Sequence, residues 1–183
     1  MTLRRGFKSE AEALSVSLRA DLALGPSEPL SPWHLAEDLH VPIERLSDYN
    51  SVAQAAANFF QRDGLESFSA VTVFRGPRRI IVHNDAHSVA RQASNVMHEL
   101  SHALLFHQPS RAIGDDGTRL WDSQVEEEAS WLSGVLLVPR PATLLVVKGG
   151  LSVQEAAQRF GVSESMMQYR IGVTGVKRQL RDV

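Results

Sequence analysis

The chain has 183 residues, enough for one domain with a sizeable buried core, or one domain and a small appendage. It contains no cysteine, which excludes disulfides and thiolate-ligated metal, so any metal chemistry must rest on histidine and carboxylate, and a reducing cytoplasm is the expected compartment. A formal net charge of -2 gives no chain-wide attraction to nucleic acid or anionic membranes; the opening Met1-Thr2-Leu3-Arg4-Arg5 lacks the apolar run of a secretory signal, and the apolar stretch 135–147 is broken by Pro139-Arg140-Pro141 and too short to span a bilayer.

Residues 9–24 carry Ala11, Leu14, Leu18 and Leu22 at helical spacing, and Ser9 with Glu12 has the form of a capping box, which predicts a first amphipathic helix. Gly25-Pro26-Ser27-Glu28-Pro29 ends it. Ser31 followed by Pro32 predicts a short helix to Leu39, with serine at the cap and proline at the first helical position. After a turn at Val41-Pro42, residues 51–61 read as a third helix, opened by Ser51 and Gln54. The pattern changes after Asp63-Gly64. Phe68, Val71, Val73 and Phe74, then Ile80, Ile81 and Val82, flank Arg75-Gly76-Pro77-Arg78 and predict two strands joined by a turn.

A long helix is predicted over 88–106, with Val89, Ala93, Val96, Met97, Leu100, Ala103 and Leu104 on its apolar side. The stretch 108–118, containing Pro109, Gly114 and Gly117, reads as a loop before another helix over 123–138 that ends at Pro139. Residues 152–160, then Gly161-Val162-Ser163, then 164–171 spell helix, tight turn, helix, with Ser163 capping the second. Gly149-Gly150 is the candidate linker. The fold class expected is α+β: a mainly helical domain over 1–148 with a small sheet, and a helix-turn-helix-like segment over 149–183.

The chemistry concentrates in Met97-His98-Glu99-Leu100-Ser101-His102, an H-E-x-x-H pattern within a segment whose flanks are independently helical. Residues four apart on a helix lie about 40° apart around the axis, so both imidazoles can point at one ion, while Glu99 falls about 100° away from His98. There its carboxylate can take a proton from water that a metal has acidified. A catalytic site needs a third ligand and an open fourth position. Glu126-Glu127-Glu128 opens the next helix, and Glu126 and Glu128, two apart, project from nearly opposite sides, so only one of them is expected to reach the metal. His107 is expected at a helix C-terminus, where a cation favours the dipole, and His34, His40, His83 and His87 as ordinary loop or surface residues.

Two stretches resemble the ImmA/IrrE family of metallopeptidases, bacterial and phage proteins that act on transcriptional repressors. Arg91 to His102 is similar to the family's arginine-led run into H-E-L-G-H, and Glu126 to Pro139 to its E-x-E-A-N-x-F-A-x-x-L-L-M-P. Arg5-Gly6-Phe7-Lys8 and Ile81-Val82-His83-Asn84 are weaker echoes. The resemblance implies a zincin-like domain in which His98 and His102 bind Zn2+ and Glu99 is the general base. It points to Glu126 as third ligand, with Ser130 in the outer position behind a histidine and Glu128 in reserve. Ser101 replaces the family's glycine, Ser130 its asparagine, and Leu132-Ser133 its Phe-Ala pair; a shorter side chain at 130 orients a histidine less firmly.

The resemblance further implies a separately encoded helix-turn-helix repressor as substrate, cut in a stress or DNA-damage response. The strand around 68–74 is a candidate edge for pairing with substrate backbone. The oxyanion donor stays open among Tyr49, Tyr169, His107 and several arginines. One rival reading is DNA binding by the tail, where six Lys or Arg face three acids from Lys148 onward and Gln168, Tyr169 and Arg170 could reach a groove, with Met166, Met167 and Ile171 as core. Another is a non-catalytic, repressor-binding regulator, as in a toxin-antitoxin pair.

Overall fold

The computed structural model describes residues 3–76, 78–107 and 122–180; the predicted loop over 108–118 and Pro77 lie outside them. The fold is α+β, with most residues helical around one small sheet. In chain order the elements are α1 (Phe7–Asp21), α2 (Pro32–Asp38), β1 (Ile43–Arg45), α3 (Gln54–Gln61), β2 (Ala70–Arg75), β3 (Arg78–His83), α4 (Val89–Leu104), α5 (Ser123–Leu137), α6 (Arg140–Lys148), α7 (Val153–Phe160), α8 (Glu164–Val173) and α9 (Val176–Gln179).

β3 is the central strand, parallel to β1 and antiparallel to β2, in the order β1-β3-β2. β1 has only three residues and shows no alternation long enough to read from sequence. In the β2–β3 hairpin Thr72 stands opposite Ile81 and Phe74 opposite Arg79, and Gly76 takes the left-handed φ of +61° the turn requires. Alternation along β2 turns Thr72 towards α4, where it bonds Glu99. Val71 and Val73, the residues that signalled the strand, point the other way and are exposed.

Several caps differ from expectation. α1 begins at Phe7 behind Gly6, so Ser9 lies inside the helix and no box forms with Glu12; the fully buried Phe7 ring belongs to the core and draws the first turn forward. α3 begins at Gln54 with Ala53 at the cap, leaving Ser51 in the preceding turn. Ser31 does stand at the cap of α2, but its hydroxyl makes no capping bond. Ser163 caps α8 by accepting from Met166 N at 3.2 Å. α6 was hidden by its prolines: Pro139 is the cap and Pro141 sits in the first turn, where no intrahelical N–H is lost.

α5 runs through the centre, buried from Leu132 to Val138. Its last carbonyls lack helical partners, and two buried arginines supply them. Arg19 of α1 donates to Leu136 O at 2.7 Å, to Ser15 Oγ at 2.6 Å and to Glu28 O at 2.9 Å. Arg170 of α8 donates to Val138 O at 2.8 Å and to Glu12 Oε1 at 2.7 Å. Burial pushes the Arg19 guanidinium down to about 10, still cationic at neutral pH. Arg170 is therefore not presented to a nucleic-acid groove; Gln168 and Tyr169 are exposed beside it, while Met167 and Ile171 join the core as expected. One apolar cluster takes Phe7, Leu35, Ile81, Met97, Leu100, Leu136, Phe160, Met167 and Val176, so the core is continuous across the Gly149-Gly150 turn. Among the described residues no single helix is long and apolar enough to cross a membrane.

Candidate metal centre

α4 and α5 lie side by side. α4 turns Ala93, Val96, Met97 and Leu100 inward, together with Ser101, whose hydroxyl donates to Met97 O at 2.8 Å. That bond satisfies a buried polar group at the position where the resemblance leads one to expect glycine. Ser133 of α5 does the same with Ser130 O at 2.9 Å, and Leu132 fills the core beside it. Two of the sequence's departures are thus accommodated by small residues with satisfied hydroxyls and by apolar filling.

On the partly exposed rim of this pair, His98 Nε2 and His102 Nε2 stand 3.1 Å apart. Glu126 Oε2 lies 3.2 Å from the first and 3.6 Å from the second. Among the described residues these three form the one group of histidine and carboxylate side chains able to hold a metal ion. The fit can be tested on distance alone: ligand atoms at zinc bond lengths of about 2.0–2.1 Å in a tetrahedron are about 3.3 Å from one another, and the three edges here bracket that value. Burial, then the charges of His98, His107 and Arg79, push His102 down to about 4, which keeps its imidazole neutral as ligation requires. All three side chains keep some exposure, as an open catalytic site demands.

The remaining candidates fall into place around this group. Glu99 accepts a hydrogen bond from Thr72 Oγ1 of β2, which fixes its carboxylate between the helix and the sheet. Glu128, the reserve ligand, is outside the group: it is buried, accepts from Gln124 Nε2 at 3.1 Å and lies 3.6 Å from Arg4 Nε. Ser130 Oγ reaches only to 3.5 Å from His98 Nδ1, the loose outer contact its short side chain implies.

Thr72, Arg79 and His107 were not singled out for these positions. Arg79 shares the α4-facing side of the sheet with Thr72, the Glu99 carboxylate favours its charged form, its charge is felt at His102, and its Nη1 is buried with no hydrogen-bond partner among the described residues. Strand alternation could have found both, had the inward face been known. His83 and His87 are not surface residues, which corrects the sequence reading. His83 ends β3 with its ring edge-on to Trp33, and burial lowers its pKa. His87 donates from Nε2 to Leu65 O at 2.9 Å. His34 and His40 are exposed.

Residues 53–172, a span holding α4, α5 and every residue of the metal-sized group, match the family described as Peptidase_M78, IrrE N-terminal-like domain. The chain belongs to this family. Membership in Peptidase_M78 makes it a peptidase-family protein, a hydrolase, and the family match extends through the Gly149-Gly150 turn into α8. No curated protein matches the chain.

Proposed function

We propose that this member of Peptidase_M78 is a zinc-dependent endopeptidase that cuts a helix-turn-helix transcriptional repressor, encoded separately, in a stress or DNA-damage response. One observation carries the chemistry: the convergence of His98 Nε2, His102 Nε2 and Glu126 Oε2 at tetrahedral spacing inside the family-matched region. Those three atoms would hold the ion. Bound there, zinc acidifies water and polarises the scissile carbonyl.

Glu99 receives the proton of the attacking water on its carboxylate and returns it to the amide nitrogen, so that water adds across the peptide bond and two chains leave. Thr72 keeps that carboxylate aimed by donating to it. Of the oxyanion donors left open, Tyr49 is engaged with Glu44, Tyr169 is exposed on α8 and His107 lies behind His102. Arg79, whose guanidinium lies on the same face of the sheet as Thr72 and whose charge acts on His102, is assigned the role. β2 is an outer strand of the sheet and carries Thr72, so an extended substrate segment pairing along it would run past Glu99.

The test is incubation of the zinc-loaded protein with candidate helix-turn-helix repressors, with fragments identified by mass spectrometry. A single cut by wild type and none by Glu99→Gln is expected. Repressor inactivation that persists in Glu99→Gln would replace proteolysis with sequestration, and salt-sensitive retardation of duplex DNA indifferent to that change would favour the nucleic-acid reading.

A further inference from the structure

His107 follows the end of α4 behind Phe106, at a position where a left-handed stop is usually supplied by glycine or asparagine. Instead Phe106 takes a left-handed φ of +53° while its ring stays exposed, and His107 N donates back to His102 O at 3.0 Å. A non-glycine residue in that region has a conformational cost, met here by the bonds Phe106 N to Ala103 O and His107 N to His102 O that close the end of the helix. What the turn achieves is to fold the His107 imidazole onto α4, with His107 Nδ1 3.0 Å from His102 Nδ1. On its far side His107 Nε2 lies 4.0 Å from Glu128 Oε2, and Glu128 is itself faced by Arg4 and Gln124.

Two ring nitrogens 3.0 Å apart share one proton, and its location decides what His102 can do. If His102 carries it on Nδ1, its Nε2 keeps a lone pair directed at His98 and Glu126. If His107 donates instead, a neutral His102 is protonated on Nε2 and cannot ligate through that atom. The Glu128 carboxylate on the far side favours a proton on His107 Nε2, which leaves His107 Nδ1 as the acceptor.

We propose that His107 is a positioning residue for His102, holding its Nδ1–H and its ring orientation, and that Glu128 fixes His107 as acceptor. The inference rests on the reading of His98, His102 and Glu126 as a metal site. It gives the reserve glutamate a role one residue removed from the ion and assigns a function to the unusual turn at Phe106. Ligating histidines are commonly held through their second nitrogen, and here the holding group comes from the same helix's own terminus.

Two measurements on the full chain test it. The first is the zinc dissociation constant by chelator competition for wild type, His107→Phe, His107→Gln and Glu128→Leu. His107→Phe and Glu128→Leu are expected to weaken binding by roughly tenfold to a hundredfold. His107→Gln, whose side-chain oxygen can accept from Nδ1, is expected to stay near wild type. Equal binding by His107→Phe, or equal loss in the Phe and Gln variants, overturns the proposal.

The second is the tautomer of His102 in metal-free wild type, read from nitrogen-15 ring shifts and assigned by loss of the signal in His102→Gln. A proton on Nδ1 supports the proposal and one on Nε2 overturns it. This readout needs no bound zinc; the His102→Gln variant serves only to assign the signal, and circular dichroism checks that it is folded. If wild type binds no zinc, the metal reading fails, and the tautomer still decides whether His107 holds His102.

Discussion

Replacing Arg170 with alanine isolates what the C-terminal helices do. Its side chain is 1% exposed, and it makes two short bonds: to Val138 O, a fully buried carbonyl at the end of α5, and to Glu12 Oε1. Deleting the guanidinium leaves that carbonyl unpaired, which costs about 1–3 kcal/mol. Glu12 loses its cation, but it is partly solvated and keeps a bond from Arg140 N, so its share is smaller. A total of about 2–4 kcal/mol is expected, below the cost of orphaning a fully buried partner charge. For a chain of this size that lowers the melting temperature by roughly 5–15 °C. Arg170→Lys retains charge but cannot serve both acceptors and should fall between. Thermal unfolding followed by circular dichroism checks this. A melt of Arg170→Ala within about 2 °C of wild type, especially with loss of any duplex retention, would refute the clamp and return Arg170 to a nucleic-acid role.

Three other outcomes follow from the site and its surroundings. Ser130→Asn gives His98 Nδ1 a longer-reaching partner than the present 3.5 Å contact and should tighten zinc by about fivefold to tenfold, one added hydrogen bond's worth; unchanged or weaker affinity by chelator competition would count against Ser130 as the outer support. Arg79→Ala should lower kcat on a cleaved repressor by about a hundredfold to a thousandfold with little change in KM, and an equal kcat removes Arg79 from the mechanism. His83 is pushed below its ordinary pKa by burial, so the unfolded chain takes up the proton first: the stability it protects is present above pH 6.5 and declines as pH falls towards the folded pKa. Urea unfolding of His83→Phe should therefore lose less stability than wild type over that interval, and parallel curves would contradict it.

The helices that build the site could be read from sequence because their signals are local. The spacing of Ala93, Val96, Met97 and Leu100 sets the buried side of α4, and that fixes where His98 and His102 can point. The choice between Glu126 and Glu128 could not come from periodicity, since either can face a neighbour whose angle is not set by the sequence; the family resemblance favoured Glu126, and the packing of α5 on α4 brings its carboxylate to the histidines. Thr72 was obscured because alternation in a six-residue strand does not say which face is inward, and here the valines face out. His107 depends on a left-handed residue at Phe106, where composition suggests none. β1 exists only through its parallel pairing with β3, and the buried positions of His83 and His87 arise from contacts with distant segments.

The central claim is that His98, His102 and Glu126 form one metal site. Zinc content and affinity of purified wild type, Glu126→Ala and Glu128→Ala, measured after dialysis against a weak chelator, test it most directly. One zinc per wild-type chain, none retained by Glu126→Ala, and one per chain in Glu128→Ala at saturating zinc with reduced affinity is the predicted result. Zinc retained by Glu126→Ala as in wild type, or a wild type that holds no divalent metal, would contradict the account.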